Sequence, residues 1–393
     1  MDTQNTPIHV RLWHRSFWLL VVANLLLTMS TYMFIPVLPI WLHKNYGMSA
    51  TDIAVVMGIY GIGLYLMGPF CSYLVQRYRR NKVCQLSLMV MLLCIVGMSL
   101  IFSGKWLVPV TLVSMSAIRL VMGVAYGLAQ MVLCSTLIID KCESFQRTEA
   151  NHSAAWFGRF GLALGPMLAL ILLPRIGIFY TFICMAGLVA ISIVLIQIVG
   201  FPFKAPEETA RKISSDRFFL PKGILLLLNL LMVTTCVGML LTLNHSAMFY
   251  ALLMAGFFFA LLAERFAFIN ADLESEIATG MVLLAISLVL LLTRRQVIVG
   301  YISPLFIGMG IGLVGSRFLL FFIKLSRHCQ RGTAHSTYFL AWESGLAMGL
   351  FIGFYFFSTN VHQLMIASLI LDVIALLFYH FVVYPWYITH KNR

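Results

Sequence analysis

The sequence predicts an all-α membrane protein: twelve transmembrane helices in two pseudo-symmetric six-helix bundles. Three observations carry this. Of 393 residues, 61% are hydrophobic and only 10% are charged, with a mean hydropathy of +0.93; a soluble chain carries about 25% charged residues. The apolar residues come in runs of about 20, the length that crosses a bilayer as a helix. The runs are continuous rather than alternating, which excludes a barrel, and only helices and closed barrels satisfy their backbone in lipid.

The runs fall at roughly 17–42, 51–75, 83–102, 106–139, 151–173, 177–200, 222–243, 246–266, 276–293, 296–323, 333–357 and 360–388. Only Leu243-Asn244-His245-Ser246 separates the seventh from the eighth. The polar residues 1–16 and the long run after them, with no Ala-x-Ala site, read as a retained first span rather than a cleaved signal. Orientation follows from lysine and arginine. Only Lys44, Lys105, Arg175, Arg294 and Arg295 fall in the loops opposite the N-terminus, and Arg119, Arg159 and Arg317 fall inside spans. All others lie on the N-terminal side, so both termini are expected in the cytoplasm. The expected location is the plasma membrane, the inner one in a Gram-negative cell.

The net charge of +13 does not indicate nucleic acid, because the charges sit in short loops between apolar runs rather than on one face. The eight cysteines are scattered, with no Cys-x-x-Cys, and imply neither disulfides nor a metal. Gly310, Gly312 and Gly315 fit a dinucleotide fingerprint but lie inside an apolar span with no strand before them, so they read as packing glycines, as do Gly345, Gly349 and Gly353. Asn151-His152-Ser153 and Asn244-His245-Ser246 fit glycosylation sequons but sit at the membrane edge in short loops.

The longest polar segment, 201–221, divides the chain into bundles at 1–200 and 222–393. The halves resemble each other. Asn24-Leu25-Leu26 matches Asn229-Leu230-Leu231. His152-Ser153 with the later Gly161-Leu162-Ala163-Leu164-Gly165 matches His335-Ser336 with Gly345-Leu346-Ala347-Met348-Gly349, one residue being inserted between the parts. Arg119 has a loose counterpart in Arg317. Two parallel six-helix repeats are a transporter architecture, with the substrate site between them near the midplane.

Pro36-Val37-Leu38-Pro39, Arg119-Leu120-Val121-Met122-Gly123 and Gly161-Leu162-Ala163-Leu164-Gly165-Pro166 resemble three helix motifs of the major facilitator superfamily, in particular its twelve-helix drug:proton antiporters. The resemblance runs over nearly the whole chain. In the last motif Gly161, Gly165 and Pro166 match the antiporter pattern, while the paired glycines expected downstream are Ala169 and Leu170. The loop from Ser72 to Lys82 occupies the place of the superfamily's Gly-x-Leu-x-Asp-Arg-x-Gly-Arg-Arg signature. Leu74, Arg77 and Arg80 agree; the acid is replaced by Gln76 and the second glycine by Arg79. Glu264-Arg265 keeps the acidic–basic pair in the second half. The resemblance makes Gln76, Arg77, Arg80, Glu264 and Arg265 the cytoplasmic gate. With no charge at Gln76, its lock is expected to be weakened by about 1–2 kcal/mol and the resting protein to favour the inward-open state.

The intramembrane charges supply the site. A charge at the bilayer centre costs about 2.5–3.5 kcal/mol on insertion scales, which marks it as functional. Glu343 lies about 15 Å along its helix and Arg159 about 12 Å along its own, near the middle of a core of about 30 Å. Aligning the glycine motifs places them at matching positions of the two repeats. Asn24, Tyr32, Arg119, Arg159, Asn229, Arg317, Trp342 and Glu343 are therefore expected to border one cavity, although Arg317 is close enough to Lys324 to snorkel to the surface. Glu343, Arg159, Arg119 and Asp372 are the proton-coupling candidates. His152 and His335 fall at cytoplasmic helix ends, where solvation accounts for them. The expected function is proton-coupled efflux of a small solute by alternating access, with no cofactor, by a monomer in lipid. A proton symporter importing a sugar, nucleoside or organic anion fits the same scaffold. A membrane enzyme or receptor would need a nucleophile–base pair or a soluble domain, and the sequence shows neither.

Overall fold

The chain's first helix opens where the His14 Nδ1 accepts from the Phe17 amide and caps it. This helix, α1, runs Arg15–Tyr32, breaks at Met33 and resumes as Phe34–Tyr46. Pro36 causes the break: it has no N–H, and its ring crowds the carbonyl of Tyr32 four residues back. The second helix, α2, comprises Ala50–Leu66 and Gly68–Arg77, bent by 46°, and Pro69 acts on Tyr65 in the same way. Next come α3 (Arg80–Phe102) and α4 (Leu112–Val132), the latter extended by a π-helical turn over Leu133–Leu137. The sequence places the start of α4 earlier, at 106, but Pro109 and the Thr111 N-cap delay it; the Thr111 hydroxyl accepts from the Ser114 amide at 3.3 Å.

No loop separates α5 (147–176) from α6 (178–198), which the sequence places either side of a short connection. They follow one another within Arg147–Ile198, broken at Gly177, whose φ of 75° and ψ of 176° favour glycine. The second half holds α7 (Ile224–Leu240), α8 (Ala247–Phe266), α9 (Leu273–Thr293), α10 (Val297–Leu325), α11 (Arg331–Phe356) and α12 (Val361–Phe378, continued to His390). The structure, a computed structural model, describes residues 11–202, 207, 209, 211–268, 272–293 and 296–391. Parts of the 201–221 connection, of the 264–274 loop and of both termini thus lie outside the described residues. Among the described residues ten helices are long and apolar enough to cross a membrane, eleven with the bent α2 counted. The break at Gly177 divides one of them in two, giving twelve crossings.

Each helix contact in the first six recurs in the second six. Helix α1 packs on α5 and α6 as α7 packs on α11 and α12; α4 lies against α2 and α3 as α10 lies against α8 and α9; α3 meets α6 as α9 meets α12. Between the sets, α2 meets α11 and α5 meets α8, again a matched pair. Glycine permits the tight contacts, because apolar helices in lipid associate through close packing rather than burial from water. A Cβ at Gly161 would lie 2.3 Å from the Thr28 hydroxyl, and one at Gly165 would lie 2.5 Å from the Met29 carbonyl oxygen. In the second half a Cβ at Gly349 would lie 2.2 Å from the Thr235 carbonyl oxygen.

Overpacking such a contact costs about 1–3 kcal/mol. We expect Gly349→Leu to lower the melting temperature of the detergent-solubilised protein. Gly187→Leu, at a glycine whose Cβ would meet nothing within 4 Å, should leave it unchanged or raise it. Equal melting temperatures for the two variants would refute the packing role.

Candidate functional site

Polar side chains buried in lipid must find partners within the protein, and here they find one another across the seam between the two sets of helices. Asn24 on α1 donates through Nδ2 to the Ala154 carbonyl of α5 at 2.9 Å. Its Oδ1 accepts from Gln130 Nε2 of α4, also at 2.9 Å. Gln130 reaches the Tyr126 hydroxyl at 3.4 Å, and that hydroxyl donates to Glu343 Oε1 on α11 at 3.4 Å. The Tyr32 hydroxyl of α1 donates to the same carboxyl oxygen and accepts from Trp342 Nε1 at 3.3 Å. A continuous hydrogen-bonded path thus runs from α5 through α1 and α4 to α11, and Glu343 at its end is 3% exposed.

These residues line a central cavity of about 40 Å³ together with Thr28, Cys134, Arg159, His335, Tyr338 and Phe339. That volume holds a few waters, since one needs about 10–15 Å³. A second cavity, of about 850 Å³, opens on the face where α1 and α7 end. Its walls include Pro36, Pro39, His43, Lys44, Leu241, His245, Phe354 and Phe357, and no acid. His245 stacks on Phe249 at 3.6 Å, and burial lowers its pKa to about 4, so it is neutral at pH 7 and Lys44 is the fixed charge of this wall.

Among the described residues the two arginines nearest the centre have no carboxylate partner. Arg159 donates from Nε to the Ala155 carbonyl at 3.3 Å and from Nη1 across the seam to the Gly312 carbonyl of α10 at 3.2 Å. Its guanidinium lies 4.1 Å from the Trp156 ring, and Nη2 is buried without a partner. Arg119 lies 5.0 Å from the Phe34 ring and 4.7 Å from the Tyr60 ring, with Nε and Nη1 buried and unpartnered.

Of the residues expected at one cavity, the structure brings together Asn24, Tyr32, Arg159, Trp342 and Glu343. It places the others elsewhere. Arg119 is walled off by Phe34 and Tyr60. Asn229 donates to the Ala375 carbonyl at 2.8 Å and so ties α7 to α12. Arg317 pairs with Glu276 of α9 instead of snorkelling. Asp372 is fully buried on α12, with neither oxygen partnered, and does not line the central cavity. Arg159 and Glu343 line one cavity without pairing. Of the two histidines read as solvated, His335 is instead 4% exposed and lines the central cavity, while His152 is half-buried, 2.6 Å from the Ser316 hydroxyl and 3.5 Å from Glu264.

Sequence reasoning missed Tyr126 and Gln130. A signal was present: they follow Arg119 at helical spacing on the buried face of α4. At the gate, Gln76 donates to the Ser72 hydroxyl at 3.2 Å, Arg80 pairs with Asp140, and Arg77 and Arg265 are exposed. Among the described residues no group of three or more His, Cys, Asp or Glu comes together as a metal site. Of the cysteines, Cys142 is buried at a helix end, which pushes its thiol up to about 12 and leaves it unreactive.

The family model of the Major Facilitator Superfamily matches residues 20–374. The chain belongs to the major facilitator superfamily. It is a multi-pass membrane transporter. No curated protein sequence matches it. Among solved structures it is similar to a mutant form of the nucleoside transporter NupG, with a TM-score of 0.67 at 11% identity, over 93% of this chain and 99% of that one. It is also similar to a bacterial homologue of the iron transporter ferroportin in an outward-facing state, with a TM-score of 0.67 at 15% identity, over 95% and 99%. A third is the human organic anion transporter MFSD10 (TETRAN), with a TM-score of 0.66 at 14% identity, over 93% and 98%. At such identities the likeness is one of fold.

Cysteine accessibility checks this geometry and the orientation read from the loops. A membrane-impermeant maleimide added to intact cells should modify Lys44→Cys and Ser358→Cys, and should reach Arg77→Cys and Arg265→Cys only after permeabilisation. The reverse pattern would invert the topology.

Proposed function

We propose that this transporter works by alternating access and couples solute movement to protons through Glu343. The observation that supports this reading is the placement of Glu343. It is a buried carboxyl on α11 held by the hydroxyls of Tyr32 and Tyr126, which belong to the first half. All its direct partners are neutral, and they sit on the opposite side of the seam. Motion between the halves therefore changes the carboxyl's surroundings, which sets whether it holds its proton. The hydrogen-bonded path through Tyr126 and Gln130 gives a proton a chain of donors and acceptors into the first half. With the N-terminal face taken as cytoplasmic, the 850 Å³ cavity faces outward and the closed face faces the cell.

Efflux by proton antiport is the direction we favour, on the resemblance of residues 161–166 to the antiporter motif. A specific observation supports the second reading, uptake of an organic anion. Arg119 and Arg159 are buried cations with unpartnered N–H groups, the outer wall carries Lys44 and no acid, and one structural relative is an organic anion transporter. In either reading the solute is small and largely apolar, since few polar groups interrupt apolar walls.

Glu343→Gln keeps the shape and removes the titration. In proteoliposomes we expect it to abolish solute movement driven by a pH gradient while leaving solute exchange within about twofold of wild type. A panel of anionic and cationic amphiphiles identifies the solute and its direction. Undiminished pH-driven transport in the variant would overturn the assignment of Glu343.

A further inference from the structure

The cytoplasmic face is sealed at two places, one on each side of the seam, and the repeat relates them. On one side Glu264, at the end of α8, meets His152 in the first turns of α5, with Ser316 of α10 beside it. The repeat carries α8 onto α2 and α5 onto α11, so Glu264 corresponds to Gln76 and His152 to His335. An acid at the end of α2 would therefore face the start of α11, but Gln76 carries no charge.

A carboxylate nevertheless stands there. Asp216, in the segment joining the two halves, accepts from the Ser72 hydroxyl of α2 at 3.2 Å and from the Thr333 hydroxyl of α11 at 3.1 Å. Ser72 lies one turn before Gln76, which donates to it. The neighbouring residues grip both halves as well. Arg217 donates from its amide to Thr333 at 2.8 Å and from Nη1 to Thr136 of α4 at 2.9 Å. The Ser214 amide donates to the Pro69 carbonyl of α2 at 3.0 Å, and the Leu220 amide to the Thr337 hydroxyl of α11 at 2.8 Å. Phe218 packs at the bend of α2, where a Cβ at Gly68 would lie 2.1 Å from its ring. Arg217 has a φ of 59°, the one positive value outside glycine among the described residues. Such strain persists only where the surroundings over-determine it. Arg217 is fixed on both sides of the seam.

We propose that residues 214–220 are a latch for the cytoplasmic gate, in which Asp216 supplies from the connecting segment the carboxylate that Gln76 lacks. This rests on the alternating-access reading. Its consequence is that the joint between the halves regulates the transport site: pulling Asp216 away releases α2 from α11 and favours opening towards the cytoplasm. The latch also accounts for a closed cytoplasmic face in a chain whose Gln76 predicts a weakened lock.

Spin-label distances test it in a background with Cys329 replaced. One label pair, Tyr78→Cys with Phe266→Cys, reports the cytoplasmic face; another, Leu107→Cys with Val297→Cys, reports the opposite face. All four positions are exposed. Asp216→Ala removes two charge-assisted hydrogen bonds, so the ratio of open to closed populations on the cytoplasmic face should rise about tenfold or more. Gly68→Val, which unseats Phe218 without touching Asp216, should shift it in the same direction. Adding Gln76→Asp to Asp216→Ala should restore much of the closed population by returning the acid to α2. An unchanged cytoplasmic distance in Asp216→Ala overturns the latch, whatever else moves. Varying pH on the wild type separates this from the transport reading. Labels that move with pH but not with Asp216→Ala sink the latch alone. Labels that move with Asp216→Ala but not with pH support the latch and count against proton coupling.

Discussion

Everything at the centre of this protein follows from one constraint: a polar side chain in the membrane core must be satisfied by the protein or not at all. Asn24, Gln130, Tyr126, Tyr32, Trp342 and Glu343 meet that demand as a single connected network. Because the network crosses the seam, the two halves are tied together by the polar groups that line the central cavity. A residue such as Glu343 could be satisfied within its own half, as Arg317 is by Glu276. That it is satisfied by the other half is what lets the proposed proton coupling join its protonation to the separation of the halves.

The repeat sets where that coupling would act. Within each half the helices touch backbone to backbone through glycine, as at Gly123 with Tyr60 and at Gly308 with Leu253. Contacts this close leave the helices within each half little room to slide past one another. Across the seam the contacts are of several kinds. They include buried single hydrogen bonds such as Tyr32 to Glu343 and Arg159 to Gly312, a partly exposed histidine–glutamate pair and the clasp around Asp216, beside close packing of α2 on α11 at Gly61 and Ala347.

Most of the architecture was legible in the sequence because lipid enforces run lengths of apolar residues. The twelve spans and the split at residues 243–246 follow from that alone. What the sequence left open was determined by backbone geometry. Gly177 turns α5 into α6 without a loop, and no run length reveals it. The site was half legible. Charges within apolar runs pointed to Glu343 and Arg159 because a charge facing lipid is too costly to keep, so each had to face the protein interior. Tyr126 and Gln130 escaped because neutral polar residues are common in helices and only their shared face with Arg119 distinguished them. Asn229 was misdirected by the repeat: its counterpart Asn24 holds a cavity residue, whereas it holds a backbone carbonyl of α12. Internal symmetry preserves helix contacts better than it preserves the use of a side chain. The latch was invisible because it depends on where a connecting segment folds back.

Arg159 shows how the parts combine. It is fixed at one end to its own helix through the Ala155 carbonyl and at the other to α10 through the Gly312 carbonyl. In the alternating-access motion proposed above α5 and α10 belong to different halves, so the second bond would break while the first could remain. The guanidinium is then a cation in a polar cavity short of one acceptor, in the same cavity as the Glu343 carboxyl. Unpaired charge in such a place is costly. An ionised Glu343 or, in the second reading, an anionic solute would relieve it. Opening of the proposed gate would therefore change the electrostatics of the central cavity by freeing a charge already present, without moving a new one in. On the proposed mechanism Arg159 would link the seal at the membrane surface to Glu343 at the centre, because of its two bonds one stays within its own helix and the other crosses the seam.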